Sequence, residues 1–149
     1  MTLFEQINED LKSAMKAREK VRLEAIRNLK KLMLEARAAK GAGTELTDEE
    51  SLKLIQKLVK QGKDSAELYQ QQNRNDLAEE ELAQIATLAS YLPKPLTSEE
   101  LKSAIEAIIA KTGAESIKDM GRVMGAASSE LAGKADGKDI AAMVRTLLS

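Results

Sequence analysis

Apolar residues return every three or four positions along most of the chain, the period of an amphipathic helix, and nowhere alternate as a half-buried strand does. Leu3, Phe4, Ile7, Leu11, Ala14 and Met15 predict a helix from Thr2 to about Arg18, opened by a Thr2/Glu5 capping box. A second helix, from about Lys20 to Lys40, turns Val21, Ala25, Leu29, Leu32 and Ala36 to one side and Lys20, Arg27 and Lys31 to the other. Gly41-Ala42-Gly43 interrupts the pattern, and Thr47-Asp48-Glu49-Glu50 supplies a cap, a reciprocal Glu and acids at the positive end of the helix dipole. The third helix carries Leu54, Ile55, Leu58, Val59, Ala66 and Tyr69, with Gly62 in its interior, where a bend or a close contact is expected. A polar connection over Gln70 to Asp76 leads to a fourth helix with Leu77, Leu82, Ile85, Leu88 and Ala89, ending at Tyr91-Leu92.

Pro93-Lys94-Pro95 stops that helix, because two prolines in three residues fix φ and remove two backbone donors. Beyond it, Thr97-Ser98-Glu99-Glu100 repeats the capping chemistry before Leu101, Ile105, Ile108 and Ile109, and Gly113 stands where a left-handed helix end belongs. Ser116 starts a helix lined by Ile117, Met120, Val123, Met124, Ala127 and Leu131, which Gly133 stops. Asp136 is placed to cap a last helix with Ile140, Met143, Val144, Leu147 and Leu148. The expected fold is all-α: an amino-terminal domain of about four helices over residues 1–92, a Pro-containing linker over 93–97, and a small three-helix domain over 98–149.

Composition agrees with helices and narrows the chemistry. The 149 residues are 43% hydrophobic but 2% aromatic, which starves sheets and leaves few rings on which bases stack. Histidine and cysteine are both 0, so Ser/His/Asp and Cys/His triads, disulfides, Cys/His zinc sites, haem and thiol redox chemistry fall away together. No nucleophile, base and oxyanion donor assemble from what is left, and neither a metal nor a cofactor is expected. The opening MTLFEQINEDLK carries acids and no long apolar run, which predicts a cytosolic protein without a membrane segment.

The formal net charge is -1, so any polyanion site must be local. Charge is uneven: residues 1–40 hold 10 basic and 6 acidic side chains, residues 41–92 hold 5 and 10, and residues 93–149 hold 8 and 8. Lys20, Arg27 and Lys31 share one helix face and Lys53, Lys57 and Lys60 another, spacings that track a phosphate backbone or merely solvate a helix. Gly133-Lys134-Ala135-Asp136-Gly137-Lys138 lacks the spacing and the preceding strand of a phosphate loop and reads instead as a helix-turn-helix corner, with Lys134 and Lys138 beside a helix N-terminus. Gly121 and Gly125, four apart in a predicted helix, leave one face bare, and close packing inside the molecule is its expected use.

Met120-Gly121-Arg122-Val123-Met124-Gly125, followed after seven residues by Gly133-Lys134-Ala135-Asp136-Gly137, resembles the GatB/YqeY family, and in particular its free-standing YqeY-like members. The resemblance runs upstream through Tyr91-Leu92-Pro93, Leu96 and Glu99-Glu100-Leu101, and through Lys60-Gln61, Lys63-Asp64-Ser65, Arg74, Asp76 and Leu77. Gly62 departs from it, since similar proteins commonly carry Arg there, and Asp136-Gly137 stand where GatB tends to have Asn-Pro.

The resemblance implies an all-α fold and, through GatB, in which the related region engages the body of tRNA, two partners: tRNA itself, or a tRNA-charging or amidotransferase enzyme. It also implies an amidotransferase-like label, a carbon-nitrogen ligase with glutamine as amido donor, for which these residues supply no catalytic constellation. The expected activity is therefore that of a non-catalytic tRNA-binding adaptor. Lys134, Lys138, Lys118 and Arg122 are its candidate contacts near the carboxy terminus, and Lys60, Lys63 and Arg74 those nearer the amino terminus. Gly121, Gly125, Gly133, Asp136 and Pro93 are the structural motif positions, and a protein-docking module that touches no RNA is the alternative.

Overall fold

Three helix starts are fixed by one local chemistry. In the computed structural model, which describes residues Met1–Ser149, Thr2, Thr47 and Thr97 each accept the backbone N–H of the Glu three residues on, while that Glu carboxylate accepts the Thr N–H. These reciprocal bonds are 2.8–3.2 Å at Thr2/Glu5, 3.1–3.4 Å at Thr47/Glu50 and 3.1–3.2 Å at Thr97/Glu100. They open α1 (Leu3–Ala17), α3 (Asp48–Gln71) and α5 (Ser98–Thr112). Between and beyond these lie α2 (Lys20–Lys40), α4 (Asn75–Ala89), a 3-10 turn (Ile117–Asp119), α6 (Met120–Glu130) and α7 (Gly137–Leu148). Donation from Thr97 to the Glu100 carboxylate holds that group below the usual carboxylate range. Thr97→Ala is expected to cost about 1 kcal/mol, read as a shift of the urea unfolding midpoint.

The chain divides into two compact units, Met1–Leu92 and Pro93–Ser149. In the first, Ile7, Ile26, Leu29, Met33 and Ile55 are fully buried and join Leu46, Val59, Ile85 and Leu88 in one core. In the second, Leu101, Ile105, Ile108, Val123, Leu131, Ile140 and Val144 form another. The 93–97 segment belongs to the second unit, where the Leu96 N–H donates to the Lys134 carbonyl at 2.9 Å. No helix is long and apolar enough to cross a membrane.

The all-helical architecture matches the expectation, and several local readings are corrected. The buried face of α2 is centred on Ala25, Ile26, Leu29 and Met33, so Val21 lies 40% exposed at its edge. Met15 and Leu82 are also turned outward. Helix α3 continues to Gln71 and α4 begins at Asn75, which shortens the connection between them, and α4 stops at Ala89 rather than at Tyr91-Leu92. After Ser116 the backbone first makes the 3-10 turn, which leaves Ile117 largely exposed, and the α-helix starts at Met120. Gly113 and Gly133 hold the left-handed φ expected of helix stops, at 72° and 78°.

Helices α3 and α4 approach closely because Gly62 has no side chain. A Cβ built there would lie 2.7 Å from Ile85 Cγ1, so the close-contact reading of this glycine is the one the structure bears out. The shallow groove beside it, lined by Asn28, Gln61, Ser65, Glu81 and Gln84 over Gly62 and Ile85, encloses about 170 Å³, less than drug-sized ligands require.

Candidate nucleic-acid interface

In the carboxy-terminal unit the corner between α6 and α7 is held by its backbone. Gly133 is buried in the left-handed conformation, the Lys134 N–H donates to the Leu131 carbonyl at 2.9 Å, and the Lys134 carbonyl accepts from Leu96. The Lys134 side chain is left exposed, as is that of Lys138 in the first turn of α7, and neither ammonium has an acidic partner. Asp136 occupies the N-cap position with an extended backbone, but its side chain makes no capping hydrogen bond, which corrects the capping role expected of it. A Cβ at Gly137 would meet nothing. Two exposed lysines beside a helix N-terminus, where backbone N–H groups point outward, form a geometry suited to a phosphate.

The other two carboxy-terminal candidates differ from each other. Lys118, in the 3-10 turn, is exposed without an acidic partner. Arg122 lies 3.2 Å from Asp119. That carboxylate already accepts the N–H groups of Glu115 at 2.9 Å and Ser116 at 3.4 Å, and these bonds, with Arg122 adding to them, hold it below the usual carboxylate range. Arg122 therefore enters any interface as half of a neutral pair.

Gly121 and Gly125 overturn the expectation of internal packing. Both are exposed, and a Cβ at either would meet no atom within 4 Å. They sit one turn apart on the outward face of α6, which is bare backbone at these two positions.

The amino-terminal candidates belong to the other unit. Lys60 and Lys63 are exposed on α3. Arg74, just before α4, grips Asp76 through both Nε and Nη2 at 3.2 Å, which raises its own pKa and lowers that of Asp76. Its guanidinium is thus occupied locally. Sequence reasoning missed a further cluster in this unit, where the half-buried Tyr91 hydroxyl donates to Asp10 Oδ2 at 2.6 Å and Gln6 donates to Asp10 Oδ1 at 3.0 Å. Burial, reinforced by Asp10, pushes the Tyr91 hydroxyl well above its ordinary pKa, so it ties the end of α4 to α1 as a neutral donor. The scarcity of tyrosine was the available signal, and it did not name the partner.

Comparison with known proteins adds a family and a set of relatives. A family model described as "Yqey-like protein" matches residues 4–148. A relative in Pyrenophora tritici-repentis, named "Altered inheritance of mitochondria protein 41, mitochondrial", is 32% identical over 136 residues, covering 87% of this chain and 71% of its own. A protein of the same name in Clavispora lusitaniae is 35% identical over 99 residues, covering 66% of this chain and 56% of its own. Both names include the word mitochondrial, and they correct the cytosolic placement drawn from the acidic opening residues: the relatives point to mitochondria instead.

Proposed function

Because the chain belongs to the YqeY-like protein family, we propose that it is a non-catalytic helical adaptor that holds a structured RNA of the tRNA type by its phosphate backbone, with Lys134 and Lys138 as the principal contacts. The observation that carries this reading is the α6–α7 corner, where the Lys134 backbone is clamped on both sides while two ammonium groups without acidic partners flank the start of α7. Such contacts position a nucleic acid without reading its sequence. With histidine and cysteine both at 0, the same residues offer no acid-base or nucleophilic machinery, so the amidotransferase chemistry implied by the resemblance to GatB lies outside the reading.

Replacing Lys134 and Lys138 together by Gln is expected to weaken binding of total tRNA about tenfold and to flatten the plot of log affinity against log salt by roughly 2 in slope. Filter binding at several salt concentrations measures both, and circular dichroism verifies the helix content. An unchanged slope in the folded variant removes these two lysines from the site.

A second reading, docking on a tRNA-charging or amidotransferase enzyme without RNA contact, draws on the open faces of Gly121 and Gly125. Its mark is partner binding that Gly121→Leu abolishes and that the lysine variant leaves intact.

A further inference from the structure

In the amino-terminal unit most basic side chains outside one stretch are matched to acids: Lys12 to Glu9, Arg37 to Glu45, Lys40 to Glu50, Lys53 to Glu49 and Arg74 to Asp76. Residues 16–31 break that habit. They hold seven basic and two acidic side chains, and the pairs made there use Arg22, with Glu19 at 3.2 Å and Asp10 at 3.9 Å. Lys16, Arg18, Lys20, Arg27, Lys30 and Lys31 make no ion pair.

Three of them form a line. At 100° per residue, Lys20, Arg27 and Lys31 fall within about 40° of one another on α2. That direction is opposite to the face on which Ala25, Ile26, Leu29 and Met33 are buried, so all three stand exposed on the crest of the helix, along roughly 16 Å of its axis. Glu24 is the one acid between them along the chain. The crest holds no aromatic anchor, and the apolar side of α2 is already spent on the core, so it lacks both the apolar centre of a protein interface and the insertable face of a membrane-surface helix. Its chemistry is complementary to an extended row of negative charges.

We infer that the α2 ridge of Lys20, Arg27 and Lys31 is a second phosphate-contacting surface, one that takes the backbone of the same structured RNA. This rests on the RNA reading above, but it uses residues of the other compact unit, so the two can fail separately.

The experiment measures total-tRNA binding by the intact chain across a salt series for the wild type, Lys20→Gln/Arg27→Gln/Lys31→Gln, Lys134→Gln/Lys138→Gln and Glu24→Gln. Crest substitutions leave the core untouched, and circular dichroism confirms the fold. The ridge variant is expected to lose about tenfold in affinity and to flatten the salt slope by between 2 and 3, roughly one unit per contact. Glu24→Gln is expected to tighten binding, which a purely structural crest would not produce. Binding that the ridge variant leaves unchanged while the Lys134/Lys138 variant weakens it overturns the ridge and spares the corner. No binding by the wild type at low salt overturns both. Ridge-dependent capture on phosphatidylserine vesicles, with tRNA binding unaffected, overturns the RNA assignment of the ridge in favour of a lipid surface.

Discussion

Gly121→Ala/Gly125→Ala is expected to be more stable than the wild type, by about 1 kcal/mol at Gly125 in the interior of α6 and by less at Gly121 in its first turn. Glycine in a helix interior loses more backbone entropy on folding than alanine does. At both positions the added methyl meets no atom within 4 Å, and neither residue has a positive φ. Nothing in the folded chain offsets the gain, so the urea transition of the carboxy-terminal unit should move to higher concentration. A loss of stability would mean that the outward face of α6 is packed after all. The expected gain also states what the wild type forgoes by keeping glycine here. Under the docking reading, in which a protein partner's backbone approaches α6, the alanine pair should fold better and bind that partner worse, while tRNA binding is unchanged.

Gly62→Leu is expected to act in the opposite direction, destabilising the amino-terminal unit toward the upper end of about 1–3 kcal/mol. The atom in the way is Ile85 Cγ1 at 2.7 Å, with Cδ1 at 3.0 Å. Ile85 is 7% exposed and part of the core, and its β-branched side chain has little rotamer freedom with which to withdraw. Even Ala at this position sets its helix-propensity gain of about 1 kcal/mol against a real overlap. The partner is testable by a double-mutant cycle: in the Ile85→Ala background the cost of Gly62→Leu should fall by at least about 1 kcal/mol, since residues in contact couple. Additive effects would mean that the contact of position 62 with Ile85 does not set the close approach of α3 and α4.

These two cases mark where sequence reading stops. All three glycines lie inside helical patterns, and spacing alone gave a bend or a close contact at one and internal packing at the other two. Only the positions of neighbouring helices separate the buried Gly62 from the open Gly121 and Gly125. Helix starts were legible because a capping box is complete within four residues, and Thr2, Thr47 and Thr97 all make it. The centre of the α2 apolar face was not legible in the same way. Val21, Leu23, Ile26, Leu32, Met33 and Leu34 spread apolar character around the wheel, and packing against the other helices chose Ile26 and Met33 over Val21. At the candidate site, sequence found the cations but not their occupancy. Arg74 and Arg122 are taken up by Asp76 and Asp119, whereas Lys118, Lys134 and Lys138 are left without acidic partners. Asp136 had the right residue type and position for a cap, yet its side chain makes no bond of that kind.

Whether this helical chain grips a structured RNA through backbone phosphates is decided by the affinity of the intact protein for total tRNA as salt is raised. Micromolar binding at low salt is expected, with a log-log slope of roughly -4 or steeper from the two corner lysines and the ridge cations together. Absence of binding at low salt, or binding indifferent to salt, would contradict the RNA reading.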